Sequence, residues 1–254
     1  MDNAWNRTCL WKQVGTINVI NILGVPFHTI TPDEALDTLE SYFSEQKNHI
    51  VVTPNPEGVM QARRNPEMAN AIKGADLSLA DGMGIVLAAK LKRLKIPGRV
   101  RGYDTTLSLF QRLSAKREFT VYLLGAKPGV AENAKANMEA RFPNMKVVGC
   151  HHGFFTDDSG IIDEINRLSP DILVIGLGMP RQELWAAVNR NINTRITLCI
   201  GGAIDVMAGE ARLAPPLMRK LGLEWLYRLL CNPSRAKRQL DLPRFVLTVI
   251  FSKK

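Results

Sequence analysis

The sequence predicts an α/β protein in which a mostly parallel sheet carries helices on both faces and a basic helical appendage follows at the carboxyl end. Short apolar runs rich in β-branched residues end abruptly at proline, glycine or polar residues, as buried strands do. Segments with helical spacing of apolar residues alternate with these runs. With 254 residues and 46% hydrophobic content, the chain is long enough to bury one large core.

The first elements follow from apolar runs and one capping motif. Residues 1–16 are expected to form a loose extension, and 17–23 the first strand. Thr31 and Glu34 have the spacing of a capping box, which predicts a helix over 32–46. Strands are then predicted at 50–53 and 75–80, and helices at 59–64, 66–73 and 81–94, the last of them capped by Asp81.

The second half continues the alternation. Helices are predicted at 105–115, from residue 130 to 141, at 160–168 and from 181 to 189, with strands at 119–124, 146–150, 171–177 and 195–200. Strands that alternate with helices at this spacing imply a parallel sheet covered on both faces. We therefore expect a core over 17–208 and an appendage over 209–254.

Five of the predicted strands end in polar or glycine-rich sequence. Ligands of open α/β sheets bind outside the carboxyl ends of the strands, where glycines admit a phosphate and helix N-termini attract it. Neither a G-x-G-x-x-G nor a Walker A sequence is present. The pattern indicates an anionic, phosphorylated ligand of unspecified identity.

Charge and cysteine content narrow the class of protein. Of the net charge of +9, residues 209–254 carry +7, from ten Lys or Arg against three Asp or Glu, and the rest of the chain carries +2. This tail is a candidate surface for an anionic partner. The four cysteines lack metal-like spacing and are expected to be reduced thiols of a cytoplasmic protein. No signal peptide and no apolar run of about 18 residues is found.

Each polar residue at the strand ends also has a purely structural interpretation. In that interpretation Asp81 is simply a helix cap, and Asn55 simply holds a turn between two prolines. A lone Arg99 is typical of solvated surface charge, and Gln182 of a helix first turn. His151 and His152 are adjacent after a strand, so their side chains should diverge, which argues against a shared metal.

Six motifs, taken together, resemble one protein family. They are 53–57 (TPNPE), 80–84 (ADGMG), 99–104 (RVRGYD), 122–129 (YLLGAKPG), 176–183 (GLGMPRQE) and 201–206 (GGAIDV). Their order is that of the WecG/TagA/CpsF glycosyltransferases, also called glycosyltransferase family 26, and the resemblance covers about residues 17–240.

The resemblance implies a Rossmann-like, inverting and metal-independent bacterial glycosyltransferase. Such enzymes move N-acetylmannosamine or its uronic acid from a UDP-sugar to a polyprenyl-diphosphate-linked N-acetylglucosamine, in pathways for wall teichoic acid, enterobacterial common antigen, capsule or exopolysaccharide. It further implies no cofactor, no nucleic-acid partner, peripheral attachment to the inner face of the membrane and a self-associating core. Another UDP-hexose, glucose or glucuronic acid, remains open as the donor.

Site residues follow from the same resemblance. Asp81 corresponds to the proposed base, and a carboxylate at the crevice mouth suits that role. Arg99 would neutralise the leaving diphosphate, because the chain has no Asp-x-Asp for a metal. The expected donor and sugar contacts are Thr53, Asn55, Gln182, Gly125, Gly176, Gly178 and Asp205.

The appendage resembles the family's membrane-docking segment. Leu, Trp and Tyr at helical spacing in 221–230, with basic residues around them, suit an anionic bilayer interface. We expect Arg212, Arg228, Arg235 and Arg238 to contact the lipid diphosphate or lipid head groups. The alternative is that Trp225 and Leu226 pack on the core.

Two other classes fit parts of the pattern. A Rossmann-type oxidoreductase would explain the sheet, but its glycine fingerprint is missing. A nucleic-acid-binding protein would explain the basic tail, but no recognised motif supports it.

Overall fold

The computed structural model describes residues 17–233 and 239–252. Two strands, β1 (Val19–Ile22) and β2 (Val25–His28), form an antiparallel hairpin. Six others form one parallel sheet in the order β4-β3-β8-β7-β5-β6. They are β3 (His49–Val52), β4 (Leu77–Ser78), β5 (Phe119–Gly125), β6 (Met145–His151), β7 (Ile172–Gly176) and β8 (Ile196–Cys199). The expected α/β class with a mostly parallel sheet is confirmed.

Helices follow the strands in turn. In the core they are α1 (Pro32–Ser41), α2 (Pro56–Arg64), α3 (Pro66–Lys73), α4 (Met83–Leu91), α5 (Gly102–Ser114), α6 (Val130–Arg141), α7 (Ser159–Leu168), α8 (Arg181–Val188) and α9 (Ala203–Met207). The appendage contains α10 (Pro216–Leu221), α11 (Glu224–Cys231) and a C-terminal helix (Asp241–Phe251). The capping box at Thr31 and Glu34 is present, with both reciprocal hydrogen bonds.

Two apolar cores cover the two faces of the sheet. Alternate strand residues point to opposite faces, so Val121 and Leu123 lie in one core while Tyr122 and Leu124 lie in the other. Helices α1, α5, α6 and α9 cover the first face. Helices α2, α3, α4, α7 and α8, with the hairpin, cover the second.

The prediction for the first strand was wrong in one respect. Residues 17–23 were expected to form a single strand, but the chain turns at Leu23 and Gly24, which both have positive φ (55° and 92°). Positive φ at both central residues is the geometry of a two-residue hairpin turn whose twist matches the strands. The hairpin therefore forms a two-stranded sheet of its own, which packs against β4. The predicted extension at 1–16 lies outside the described residues.

Part of the appendage belongs to the second core. Phe245 and Val249 of the C-terminal helix are buried there, against α2 and α4. Asp241, 5% exposed, accepts two hydrogen bonds from Arg64, at 2.9 and 2.6 Å. Trp225 keeps 41% of its surface exposed, so the packing on the core comes from this last helix.

The described residues contain free thiols and no helix that could span a membrane. Cys150, Cys199 and Cys231 are free thiols. Across 17–233 and 239–252, every helix is too short or too polar to cross a bilayer.

Candidate active site

The candidate site lies at the carboxyl edge of the parallel sheet, where the five predicted strand ends come together. β5 continues to β6 on one side, whereas β7 continues to β8 on the other, so the chain direction reverses between β5 and β7. The connecting helices α6 and α8 cover opposite faces. Such a reversal opens a crevice at the strand ends, which is where α/β proteins bind nucleotides.

Gly125 and Gly176 lie on either side of this reversal. A Cβ atom on Gly125 would stand 2.6 Å from the Gly176 carbonyl, and Gly125 has φ +148°. A Cβ atom on Gly176 would stand 2.8 Å from the carbonyl oxygen of Gly201. No side chain fits at either position, so bare backbone lines the floor of the crevice.

Thr53 and Asn55 follow β3 and pack beside the Asp81 loop. The Thr53 hydroxyl donates to the Cys199 carbonyl at 3.0 Å, which ties β3 to β8. Asn55 is the N-cap of α2, and its Oδ1 accepts from the Gly58 N–H at 2.9 Å. The structure thus gives Asn55 a local role in addition to its predicted place in the pocket.

Asp81 sits between the end of β4 and α4, and its predicted capping role was wrong. The N-cap of α4 is Gly82 with φ 107°, and no side chain caps this helix. The Asp81 carboxylate instead accepts a hydrogen bond from the Gly102 N–H at the start of α5. The side chain therefore turns towards α5 and the arginine-rich loop at 99–101.

The surroundings of Asp81 change its acidity. Burial raises the pKa of Asp81 from 3.8 to about 6, although its surface remains partly accessible to solvent. The positive charge of Arg228 opposes this increase in the pKa, while the negative charge of Glu224 adds to it. A carboxylate that titrates near neutral pH suits a general base.

Arg99 is held by the appendage. Its two terminal nitrogens donate to the Glu224 carboxylate at 2.5 Å and to the Arg219 carbonyl at 2.8 Å. The Arg99 side chain is only 8% exposed. Arg99 therefore lies at the site, and here its partner is a carboxylate on α11.

Two more arginines complete this cluster. Arg101 donates to Asp104 at 2.9 Å and to the Arg219 carbonyl at 3.0 Å. Arg219 donates to both Asp104 oxygens at 2.6 Å. The Nε atoms of Arg101 and Arg219 lie 3.3 and 3.6 Å from Glu224 Oε1 without forming a hydrogen bond. Within this cluster, three arginines against two carboxylates leave one net positive charge.

Arg219 and Glu224 were not among the predicted site residues. The four-residue spacing of Leu217 and Leu221, which are both exposed, places Arg219 on the other face of α10, and this spacing is visible in the sequence. The partner of that face is not visible, because Arg219 and Glu224 contact Arg99 across 120 and 125 residues of the chain.

Two of the four predicted membrane-binding arginines lie within the described residues. Arg212 and Arg228 are both exposed, and Arg228 lies close enough for its charge to act on Asp81. Arg235 and Arg238 lie outside the described residues. Arg228 therefore faces the site as well as solvent.

Gln182 and Glu183 lie in the first turn of α8 and are nearly fully buried, at 2% and 3% exposure. Gln182 Oε1 accepts from the Gly201 N–H at 3.0 Å, and its Nε2 donates to Glu183 Oε1 at 2.8 Å. Burial raises the pKa of Glu183 to about 7. Gln182 thus fixes the turn after β8 against α8.

The two remaining predicted residues lie in the segments that follow β7 and β8. Gly178 follows β7 with φ +75°, and a Cβ atom built there would have no other residue's atoms within 4 Å beyond its chain neighbours. Asp205 is half-buried on α9, beside Gly202. All the predicted donor-site residues therefore occupy strand ends, or the turns and helix starts that follow β3, β7 and β8, at one edge of the sheet.

The described part of the chain does not group the side chains that a metal ion needs. No three His, Cys, Asp or Glu side chains in 17–233 and 239–252 are arranged to hold a metal ion. The groups that come together at the crevice are one carboxylate with a raised pKa, bare backbone at the floor and a cluster of guanidinium groups. Such a set can remove a proton from a hydroxyl and stabilise a phosphate leaving group.

Comparison with known proteins agrees with this chemistry. The profile described as "Glycosyl transferase WecG/TagA/CpsF family" matches residues 20–254. Three relatives are each named N-acetylglucosaminyldiphosphoundecaprenol N-acetyl-beta-D-mannosaminyltransferase. The protein of Bacillus subtilis (strain 168) is 30% identical over 92% of this chain and 91% of its own length. That of Bacillus spizizenii is 32% identical over 83% and 82%, and that of Staphylococcus aureus (strain MRSA252) 30% over 92% and 93%. This chain belongs to the WecG/TagA/CpsF family and is a glycosyltransferase.

Proposed function

We propose that this enzyme transfers N-acetylmannosamine from a UDP-sugar to N-acetylglucosaminyl-diphosphoundecaprenol, with inversion and without a metal ion. The observation that carries the proposal is Asp81, a carboxylate with a pKa of about 6, beside guanidinium groups at the carboxyl edge of the sheet. Relatives named for this reaction match more than nine-tenths of the chain. N-acetylmannosaminuronic acid, glucose and glucuronic acid remain alternative donor sugars.

In this mechanism Asp81 takes the proton from the acceptor hydroxyl. A single displacement requires the base on the side of the sugar opposite the leaving group. The donor diphosphate would lie at the turns after β5 and β7, where Gly125 and Gly176 expose backbone. The hydroxyl oxygen then forms the new bond to the anomeric carbon as the bond to UDP breaks.

The charge that develops on UDP needs cations. Arg99 and Arg101 occupy the loop before α5, and the appendage brings Arg219 to them. A guanidinium binds phosphate oxygens through two parallel hydrogen bonds. The incoming diphosphate would replace Glu224 as the partner of Arg99.

A transfer assay with a panel of donors tests the proposal directly. Purified enzyme, a polyprenyl-diphosphate N-acetylglucosamine and single UDP-sugars would be incubated with EDTA, and UDP release would be measured. We expect release with UDP-N-acetylmannosamine at a rate that EDTA does not change. Activity that requires added Mg²⁺ or Mn²⁺ would contradict the metal-independent mechanism. Faster UDP release with another UDP-sugar would identify that sugar as the donor in place of N-acetylmannosamine.

The appendage would hold the enzyme on the inner face of the membrane. The C-terminal helix buries Phe245 and Val249 but leaves Leu247, Ile250 and Phe251 exposed, the last at 80%. Leu217 and Leu221 on α10 are exposed as well. Apolar side chains beside basic residues are typical of helices that lie in an anionic bilayer interface.

Vesicle binding should therefore depend on the exposed residues of the C-terminal helix. In Ile250→Ser/Phe251→Ser, the fraction that pellets with anionic vesicles should fall at least about fivefold, because burial of these two exposed apolar side chains in the bilayer would contribute about 3 kcal/mol or more. Val188→Ser, which alters an 84% exposed residue on α8, is the control and should pellet like wild type. Equal pelleting of all three proteins would contradict docking by this helix.

A further inference from the structure

Helix α4 presents an apolar face to solvent although it belongs to the core. Met83, Leu87 and Leu91 recur every four residues, and 42%, 47% and 50% of their surfaces are exposed. The opposite face, with Ile85, Ala88 and Ala89, is buried in the second core. An outward apolar stripe on a helix that already buries its other side marks an interaction surface.

A groove runs along one flank of this stripe. Its apolar wall comes from Val86 on α4 and from Leu94, Ile96 and Pro97 in the following segment, and its volume is about 470 Å³. Lys90 and Lys95 lie at the same groove. We call these six residues the α4 groove.

The lysines of the α4 groove differ from several surface cations that are held in ion pairs. Arg112, Lys116 and Arg190 each pair with a carboxylate. Within the described residues, Lys90 and Lys95 have neither an ion pair nor a hydrogen bond to a side chain. From residue 82 to 103 the sequence has six Lys or Arg and no Asp or Glu. This charge favours an anion, and the adjoining wall favours an aliphatic chain.

The groove also lies at a suitable distance from the base. Helix α4 begins two residues after Asp81, and Lys90 follows Met83 by two turns, or about 11 Å along the axis. An acceptor hydroxyl at Asp81 would therefore place its sugar over the start of α4 and its diphosphate further along the helix. The C-terminal helix packs against α4, and Lys92 donates to the Ser252 carbonyl, so the bilayer-facing helix adjoins the same surface.

We propose that the α4 groove binds the lipid end of the acceptor: Lys90 and Lys95 hold its diphosphate, and the apolar wall takes the first isoprene units. This inference rests on the proposed function. It places the acceptor diphosphate on α4, separate from the donor diphosphate at Arg99 and at the turns after β5 and β7.

Kinetics with two acceptors test the groove. One acceptor carries a full polyprenyl chain in detergent micelles, and the other carries a short, water-soluble alkyl chain on the same diphosphate sugar. In Lys90→Gln/Lys95→Gln, KM for both acceptors should rise at least about tenfold, because two charge-assisted hydrogen bonds are lost, while KM for the UDP-sugar stays unchanged. In Val86→Glu, KM should rise for the long-chain acceptor more than for the short one.

Controls separate the groove from general effects of charge and fold. Lys73→Gln/Lys146→Gln removes two exposed lysines near the opposite edge of the sheet, and Val188→Glu adds a carboxylate to α8. Both should keep wild-type KM values. Unchanged acceptor KM in the groove variants, or a change in donor KM instead, would overturn the inference about the groove. The proposed function would still stand if wild type transferred the sugar. Failure of wild type to use either acceptor would reject both the proposed function and the role of the groove.

Discussion

Replacement of Asp81 by asparagine is expected to lower kcat for sugar transfer by about 10²- to 10⁴-fold, the usual contribution of a general base. Asparagine has nearly the same shape, and its Oδ1 can still accept the hydrogen bond from the Gly102 N–H. KM for the donor should therefore change little. In wild type, kcat/KM should fall about tenfold per pH unit below about 6, because protonated Asp81 cannot accept the hydroxyl proton.

The same substitution should stabilise the fold at neutral pH. The pKa of Asp81 is higher in the folded chain, about 6, than its ordinary value of 3.8, so the folded state binds more protons between these values. Stability contributed by the protonated carboxyl is therefore lost as the pH rises from about 4 to 6. Urea unfolding at pH 7 should show a larger free energy of unfolding for Asp81→Asn than for wild type, and at pH 4 a smaller difference.

Asp163→Asn is the matched control, since Asp163 is exposed on α7 and is none of the predicted site residues. It should keep wild-type kcat and its pH dependence. Full activity of Asp81→Asn would move the base to Glu57 at the start of α2 or to Asp104 at the start of α5. The pH profile of the corresponding Gln or Asn variants would then identify which carboxylate acts.

Local patterns predicted most of the fold because they report on burial. Strands such as Phe119–Gly125 and Ile172–Gly176 are buried on both faces and have apolar runs of matching length. The capping box at Thr31 satisfies backbone donors within a single turn, so it is visible in four residues. The hairpin was missed because Leu23 and Gly24 lack the usual Asn-Gly signature, and Pro26 obscured the second strand.

The site was predictable only in part, for a different reason. Glycines at the floor follow directly from strand ends, since only they allow the approach of Gly125 to Gly176. The partners of Arg99 come from the appendage. Asp81 was expected to cap α4, but its carboxylate accepts a hydrogen bond from the Gly102 N–H instead. Both contacts depend on tertiary packing, which the sequence spacing does not encode.

Arg99→Lys should lower kcat/KM for transfer by about 10²- to 10³-fold, the usual loss when one transition-state donor is removed. Lysine keeps the charge but loses the planar fork that binds two phosphate oxygens at once. The effect should fall mainly on kcat, because the charge on the leaving UDP grows in the transition state. Arg112→Lys on α5, where Arg112 pairs with Asp37 at 2.7 Å, makes the same chemical change outside the crevice and should leave kcat/KM unchanged.

Glu224→Gln distinguishes two roles for the partner of Arg99. If the donor diphosphate replaces Glu224, loss of its charge should lower KM for the UDP-sugar by a few fold, because the carboxylate no longer competes for Arg99 and for the Nε atoms of Arg101 and Arg219. If Glu224 instead orients these arginines for catalysis, kcat should fall and KM should not improve. Wild-type activity of Arg99→Lys together with loss of activity in Arg219→Lys would place the leaving group on the appendage arginine, so that the site is complete only when α10 and α11 are docked.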